Sequence, residues 1–390
     1  VRRHPSALYV LLGTQAVGWM GFASVLPILP LYVHQRGMPL DWLGWMVAAY
    51  SLASLAAQLV MGRLSDRVGR RLILVGGLVL AGLATAAFGG SWPAPWYLVF
   101  RALWGFGAGA VTVAGMASVA DLVSPERQGR AYGWMMAAQM AGLAGGPMLG
   151  AGLSALVGVV GMFLGGAGLT LAAAGLAAWG LPRPVGRPLA PAPVVAKPVW
   201  RGRWGLLVVN AGWTGLFGVY DTAWSVYLRH LGAGTLEIGL SWTLFSLPLL
   251  VMSFVAGRVA DRTPWRRPAV IGGVLVNALV AAGYGVVPTA WAAILLSVFE
   301  SSVIAMIGPS FNAWLMEGVA SHERGAVQGG AQAAGTVGSL VLALATGYLL
   351  PVSVRWPFFL GAAVLLVTGV VLWVGHPADS AQRRTELGHP

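Results

Sequence analysis

The 390-residue chain is 57% hydrophobic and only 9% charged, with a net charge of +12 and a mean hydropathy of +0.75. A water-soluble domain takes about a quarter of its residues from the charged set, so an ordinary globular fold is excluded. Its basic residues punctuate apolar runs and do not gather on a polar domain with interleaved aromatics, which argues against a nucleic-acid partner. The absence of cysteine removes disulfides and thiolate metal sites, and six scattered histidines offer no ligand spacing, so neither metal nor cofactor is expected.

A membrane-crossing helix needs about 20 apolar residues. Apolar runs separated by turn and charge signals predict twelve such spans, at residues 7–33, 42–62, 71–91, 95–120, 131–154, 158–180, 203–229, 236–257, 269–287, 290–316, 324–349 and 354–375. The first is too long for a signal peptide and lacks a small-residue cleavage pattern, so it reads as a retained helix. Span 2 ends in GRLSDRVGRR, residues 62–71, which packs Arg63, Asp66, Arg67, Arg70 and Arg71 into ten positions. Such a cluster belongs at a membrane surface, because arginine re-enters lipid at high cost. Asp66 there suits a helix N-cap, where unpaired N–H groups favour a carboxylate. Spans 5 and 6 share an uncharged run, 131–182, long enough for two helices and a tight turn.

Two short repeats divide the chain. GRLSD (62–66) returns as GRVAD (257–261), and SPER (124–127) as SHER (321–324). The predicted organisation is an all-α membrane protein with an N-terminal six-helix bundle (1–180), a Pro-rich cytoplasmic linker (181–202), a C-terminal six-helix bundle (203–375) and a cytoplasmic tail (376–390). With both termini cytoplasmic, nearly all loop arginines and Lys197 fall inside, while Arg36, Arg229 and Arg355 stay outside, as the positive-inside rule requires.

Three charges fall within the hydrocarbon: Arg101 in span 4, Asp221 in span 7 and Glu300 in span 10. Such groups are costly and mark functional sites. A carboxylate deprived of water favours its neutral form, which lets it exchange a proton when a cavity opens to either side. Asn210, Thr214, Phe217, Asp221 and Trp224 follow helical steps and predict one face of span 7. A substrate cavity is expected from Trp19, Phe22, Trp134, Met135, Gln139, Asn210, Trp213, Phe217, Trp224, Trp242, Phe245, Phe299, Gln328 and Gln332, in which aromatic faces attract desolvated cations.

Two further motifs follow the 62–71 loop in order. RALWGFGAGA (101–110) presents Arg101, Gly105 and Gly107, and GLAGGPMLG (142–150) presents Gly142, Gly146, Pro147 and Gly150. Together the three make the chain resemble the major facilitator superfamily over nearly its whole length, and within it the twelve-span drug:proton antiporter group. The resemblance implies two pseudo-symmetric six-helix bundles. It implies a conformational switch at Gly62, Asp66, Gly69, Arg70 and Arg71, latching the halves in the outward-open state with Asp121 as partner of the arginines. The second copy, GRVADRTPWRRP, departs from it with Pro264 and Trp265 where a glycine is expected. The antiporter motif supplies a small-residue stripe for close helix approach, and Pro147 a bend; close, bent packing between the halves is the expected route by which it acts.

The expected protein is a monomeric carrier of the inner or plasma membrane, not an enzyme, that exports lipophilic and preferentially cationic small molecules in exchange for protons. Asp221 and Glu300 would carry protons and substrate charge, and Arg101 would tune them. GxxxxGK[ST] is absent, so the proton gradient and not ATP is the expected driver. A lipid or lysolipid flippase of the same fold and a non-transporting membrane sensor are the alternatives.

Overall fold

The computed structural model describes residues 5–182, 203–260, 263–319 and 323–375, and among them every regular element is a helix. The predicted first span is two helices, α1 (Pro5–Val25) and α2 (Leu29–Gln35). Pro27 and Pro30 lack the amide donors a continuous helix needs, and a turn closes the gap through Ile28 N–H to the Val25 carbonyl at 3.2 Å. Next, α3 (Asp41–Val68) and α4 (Arg70–Ala87) meet at Gly69. Its φ of 101° lies in the region that favours glycine, so one residue reverses the chain. Gly69 is itself the N-cap of α4 and no side chain caps that helix, so Asp66 does not play the capping role expected of it. It lies within the last turn of α3 and pairs with Arg70 instead.

After α5 (Ala94–Leu122), α6 (Pro125–Gly180) runs for 56 residues. Straight, it would extend about 84 Å, far beyond a hydrocarbon core of about 30 Å. Gly158, at φ 75°, breaks it into two limbs, the predicted spans 5 and 6. The remaining helices are α7 (Trp204–His230), α8 (Thr235–Ala260), α9 (Thr263–Tyr284), α10 (Ala290–Leu315), α11 (Arg324–Leu349) and α12 (Trp356–Gly375). Ten segments among the described residues are long and apolar enough to cross a membrane. Counting both limbs of α6 and adding α7 accounts for the twelve expected crossings. α7 has the length but falls short in hydropathy because it carries Asn210, Thr214, Asp221 and Thr222.

In the first half α1 packs on α6, while α5 receives α3 and α4; in the second, α7 packs on α11 and α12, and α10 on α8 and α9. The halves meet through α3 with α11, α6 with α8, and α2 with α7. Arg63, Arg67, Arg70, Arg71, Arg203, Arg266 and Arg267 mark one end of the bundle, called here the basic end, and Arg36, Arg229 and Arg355 the other. Most of the predicted linker, the tail, Asp261, and Ser321 and His322 of the SHER repeat lie outside the described residues.

Candidate functional site

Arg101 sits a quarter of the way along α5 and is 3% exposed. Its guanidinium lies over two aromatic rings, 4.6 Å from the Tyr50 centroid and 4.4 Å from that of Trp104. Nε and Nη1 are buried without a hydrogen-bond partner. Asp221, half-buried on α7 of the other half, acts electrostatically on both Arg101 and Tyr50 without a direct ion pair. Arg101 and Asp221 are thus opposite charges contributed by the two halves, with Tyr50 beside them.

Tyr50 also belongs to a cavity of roughly 980 Å³ between α3, α7, α10 and α11. Ser51, Ser54 and Gln58 line it from α3, and Gln328, Gln332, Thr336 and Ser339 face them from α11. Asn210, Trp213 and Thr214 come from α7, Phe311 and Asn312 from α10. Hydroxyl and carboxamide groups dominate this lining, and among the described residues no acidic or basic side chain belongs to it. Asn312, Gln328 and Gln332, near the basic end, are exposed, whereas Tyr50 and Ser339 lie deeper.

Toward the other end the halves close on each other. A Cβ on Gly44 of α3 would lie 3.1 Å from the Gly347 Cα of α11, and one on Gly239 of α8 would lie 2.9 Å from the Pro147 carbonyl oxygen of α6. Thr243 Oγ1 donates to the Ala144 carbonyl at 2.8 Å. The carrier is thus open toward the basic end and shut at the other.

Glu300 occupies a different place. It is 1% exposed, and both of its carboxylate oxygens accept tyrosine hydroxyls, Oε1 from Tyr220 of α7 and Oε2 from Tyr284 of α9, the latter at 2.7 Å. It lines a narrow pocket with Phe217, Tyr220, Trp224, Trp242, Phe245, Tyr284 and Ser297. Arg101 and Glu300 are not paired with each other: each has its own aromatic partners in its own half.

The face predicted on α7 splits accordingly. Asn210 and Thr214 line the large cavity and Phe217 and Trp224 the small one, whereas Asp221 acts on Arg101 of the other half. Of the other residues expected in the lining, Trp213, Gln328 and Gln332 reach the large cavity, and Trp242 and Phe245 the small one. Phe22 is core, packed edge-on to Trp19 and Trp104. Met135 is fully buried, and its terminal carbon comes within 2.8 Å of the Cβ position of Gly115. Gln139 Nε2 donates to Gln15 Oε1 at 3.0 Å in the same interior. Trp134 is exposed, stacked on Tyr9 with Arg130 over its ring. Phe299 continues the exposed stripe of Trp291 and Leu295, since one helical step turns it about 100° from Glu300. Tyr50, Tyr220 and Tyr284 escaped the sequence reading; the adjacency of Tyr220 to Asp221 was the one available signal.

At the basic end Arg70 gathers the switch residues. It pairs with Asp66, its Nε lies 3.2 Å from Asp121 Oδ2, and its Nη1 donates to Ser65 Oγ at 2.5 Å. Arg71 reaches the Ala178 carbonyl at the end of α6. Gly62 sits in the last turns of α3 with only Val113 near its Cβ position, at 3.5 Å.

The glycine stripe of α6 faces α1, not the opposite half. Cβ atoms on Gly142, Gly146 and Gly150 would collide with the α1 backbone at Ala16, Met20 and Ser24. Gly105 and Gly107 of α5 similarly admit the backbones of α3 and α4, at Tyr50 and Gly77. Contact between the halves uses a neighbouring face of α6, through Ala144, Pro147 and Ala151. The stripe therefore permits close approach as expected, but within one bundle.

Apolar helices in two groups, a polar cavity between them, an aromatic pocket around Glu300 in the second half, and charged side chains within the spans define an integral membrane carrier. The chain belongs to the Major Facilitator Superfamily, whose profile matches residues 11–229 and 215–389. It is 29% identical over 341 residues to the tetracycline resistance protein, class C, of Escherichia coli, covering 83% of this chain and 84% of that one. Multidrug resistance protein 1 of Bacillus subtilis is 27% identical over 143 residues, 37% of each chain. In fold the protein is similar to a bacterial homologue of the human lysosomal transporter Spinster in an inward-facing, occupied conformation, with a TM-score of 0.78 at 12% identity, covering 94% of this chain and 96% of that one. It is a superfamily transporter with drug-resistance relatives.

Proposed function

We propose that the protein exports small organic molecules in exchange for protons by alternating access, as a monomer in the cell membrane with both termini cytoplasmic. The observation that carries this reading is the opposed pair of charges within the membrane spans, buried Arg101 and half-buried Asp221, one from each half, beside the closed end of a cavity open at the basic end. Protonation of Asp221 removes its attraction for Arg101 and so weakens the closed contact between halves, which links proton uptake to opening on the other side. Glu300 is the second proton carrier. The basic end is cytoplasmic in this reading, and the cavity faces inward.

The drug-resistance names of the relatives support efflux. The hydroxyl and carboxamide lining favours a substrate with hydrogen-bonding groups on an apolar body, and the ring faces of Trp213 and Phe311 suit an aromatic or cationic part. That lining gives little support to a lysolipid chain. The gradient is the driving force and no cofactor takes part. Asp66, Asp121 and Arg70 act as the conformational switch; in the conformation described, Arg70 holds both acids within the first half.

The test is substrate-induced proton movement in proteoliposomes under an imposed pH gradient, with tetraphenylphosphonium, tetracycline, neutral drugs and lysolipids as probes. A probe that dissipates the gradient with the unmodified protein but not with Asp221→Asn supports the reading. Lysolipid movement without proton movement overturns it.

A further inference from the structure

We propose that Tyr220 and Tyr284 are positioning residues that set when Glu300 binds and releases its proton, a role that rests on the reading of Glu300 as a proton carrier. Three helices converge on one carboxylate. Glu300 projects from α10, Tyr220 from α7 meets Oε1, and Tyr284 from α9 meets Oε2 at 2.7 Å. The surroundings are otherwise apolar. From α8 come Trp242 and Phe245, and Phe358 of α12 packs on both tyrosine rings, so neither helix brings a titratable side chain to this cluster. Two further titratable groups border the cluster: Tyr227, whose hydroxyl donates to the Tyr284 carbonyl at 2.5 Å and not to Glu300, and Arg355, which acts on Tyr227 and whose Nη1 donates to the Gly285 carbonyl at 3.4 Å. Asp221, next to Tyr220 in the chain, acts on Arg101 in the other half.

Hydrogen bonds donated to a carboxylate stabilise its ionised form, and with no ion pair to Glu300 among the described residues these two hydroxyls replace part of the stabilisation that water would give. Each comes from a different helix. A displacement of α7 or α9 against α10 therefore withdraws one hydroxyl and strengthens proton binding relative to the arrangement described, in which both are in place. The proton affinity of Glu300 thus follows helix position through the two tyrosines.

The test follows the carboxyl C=O infrared band of protonated Glu300, identified as the band absent in Glu300→Gln, during pH titration of the full-length protein in liposomes. Tyr220→Phe and Tyr284→Phe are each expected to move the midpoint upward by about one pH unit, from the loss of one hydrogen bond to a charged group, and to shift the band frequency. Tyr227→Phe removes a hydroxyl from the same aromatic cluster and is expected to leave both unchanged. A band that titrates identically in both single variants overturns the role of the tyrosines and leaves Glu300 as carrier. A Glu300 band that never titrates overturns both readings.

Discussion

Arg70 and Asp121 join the start of α4 to the end of α5 through a 3.2 Å contact, and the same guanidinium also holds Asp66 at the end of α3. Both acids are more than a third exposed, so solvent screens the pair and its contribution to stability is at most about 1 kcal/mol. Asp121→Asn is therefore expected to leave thermal unfolding nearly unchanged while lowering transport turnover, about fivefold if the full 1 kcal/mol biases the switch. Paired melting and transport assays on one preparation check this. A large loss of stability would make the contact structural and not conformational.

Gly150 and Gly152 lie two residues apart on α6 with opposite surroundings. A Cβ at Gly150 would overlap the Ser24 backbone of α1, whereas at Gly152 nothing lies within 4 Å. Gly150→Ala is expected to destabilise by about 1–3 kcal/mol or more through overpacking. Gly152→Ala is expected to be neutral or slightly stabilising, since alanine favours helix by up to about 1 kcal/mol. Detergent melting curves of the two variants provide the comparison.

A similar contrast separates two members of the switch motif. Gly69→Ala forces an L side chain to φ 101°, at a cost of about 1–2 kcal/mol. Gly62→Ala meets only ordinary contact with Val113 at 3.5 Å. Expression and melting temperature are expected to fall for the first and hold for the second.

Arg101 combines a charge with a flat surface packed against Tyr50 and Trp104. Lysine keeps the charge but loses the planar stacking. Arg101→Lys is expected to retain partial transport, and Arg101→Ala to abolish it because Asp221 then faces an apolar neighbour. Equal activity of Lys and Arg in initial-rate transport would show that charge alone suffices.

Thr243 of α8 ties the halves together by donating to the Ala144 carbonyl of α6. Thr243→Val removes a hydrogen bond worth about 1 kcal/mol at the closed end. The population open at that end is expected to rise about fivefold. Distances between spin labels on α2 and α7 at that end report it directly.

Local sequence determined a great deal here. Charge scarcity and run length placed the crossings, including both limbs of α6, because the bilayer allows only self-satisfied apolar helices of a given length. The 62–71 cluster was legible for the same reason, and so was the burial of Arg101 and Glu300, whose charges interrupt long apolar runs. Helical periodicity also assigned residues to common faces, but a face does not name its neighbour. Whether the Gly142, Gly146 and Gly150 stripe met α1 or the other half, whether Phe299 turned inward, and which tyrosines held Glu300 were settled only by packing. Tyr220 and Glu300 are 80 residues apart, and their contact depends on how α7, α9 and α10 lie against one another. That arrangement follows from the shape complementarity of whole helix surfaces, which no single stretch of sequence contains.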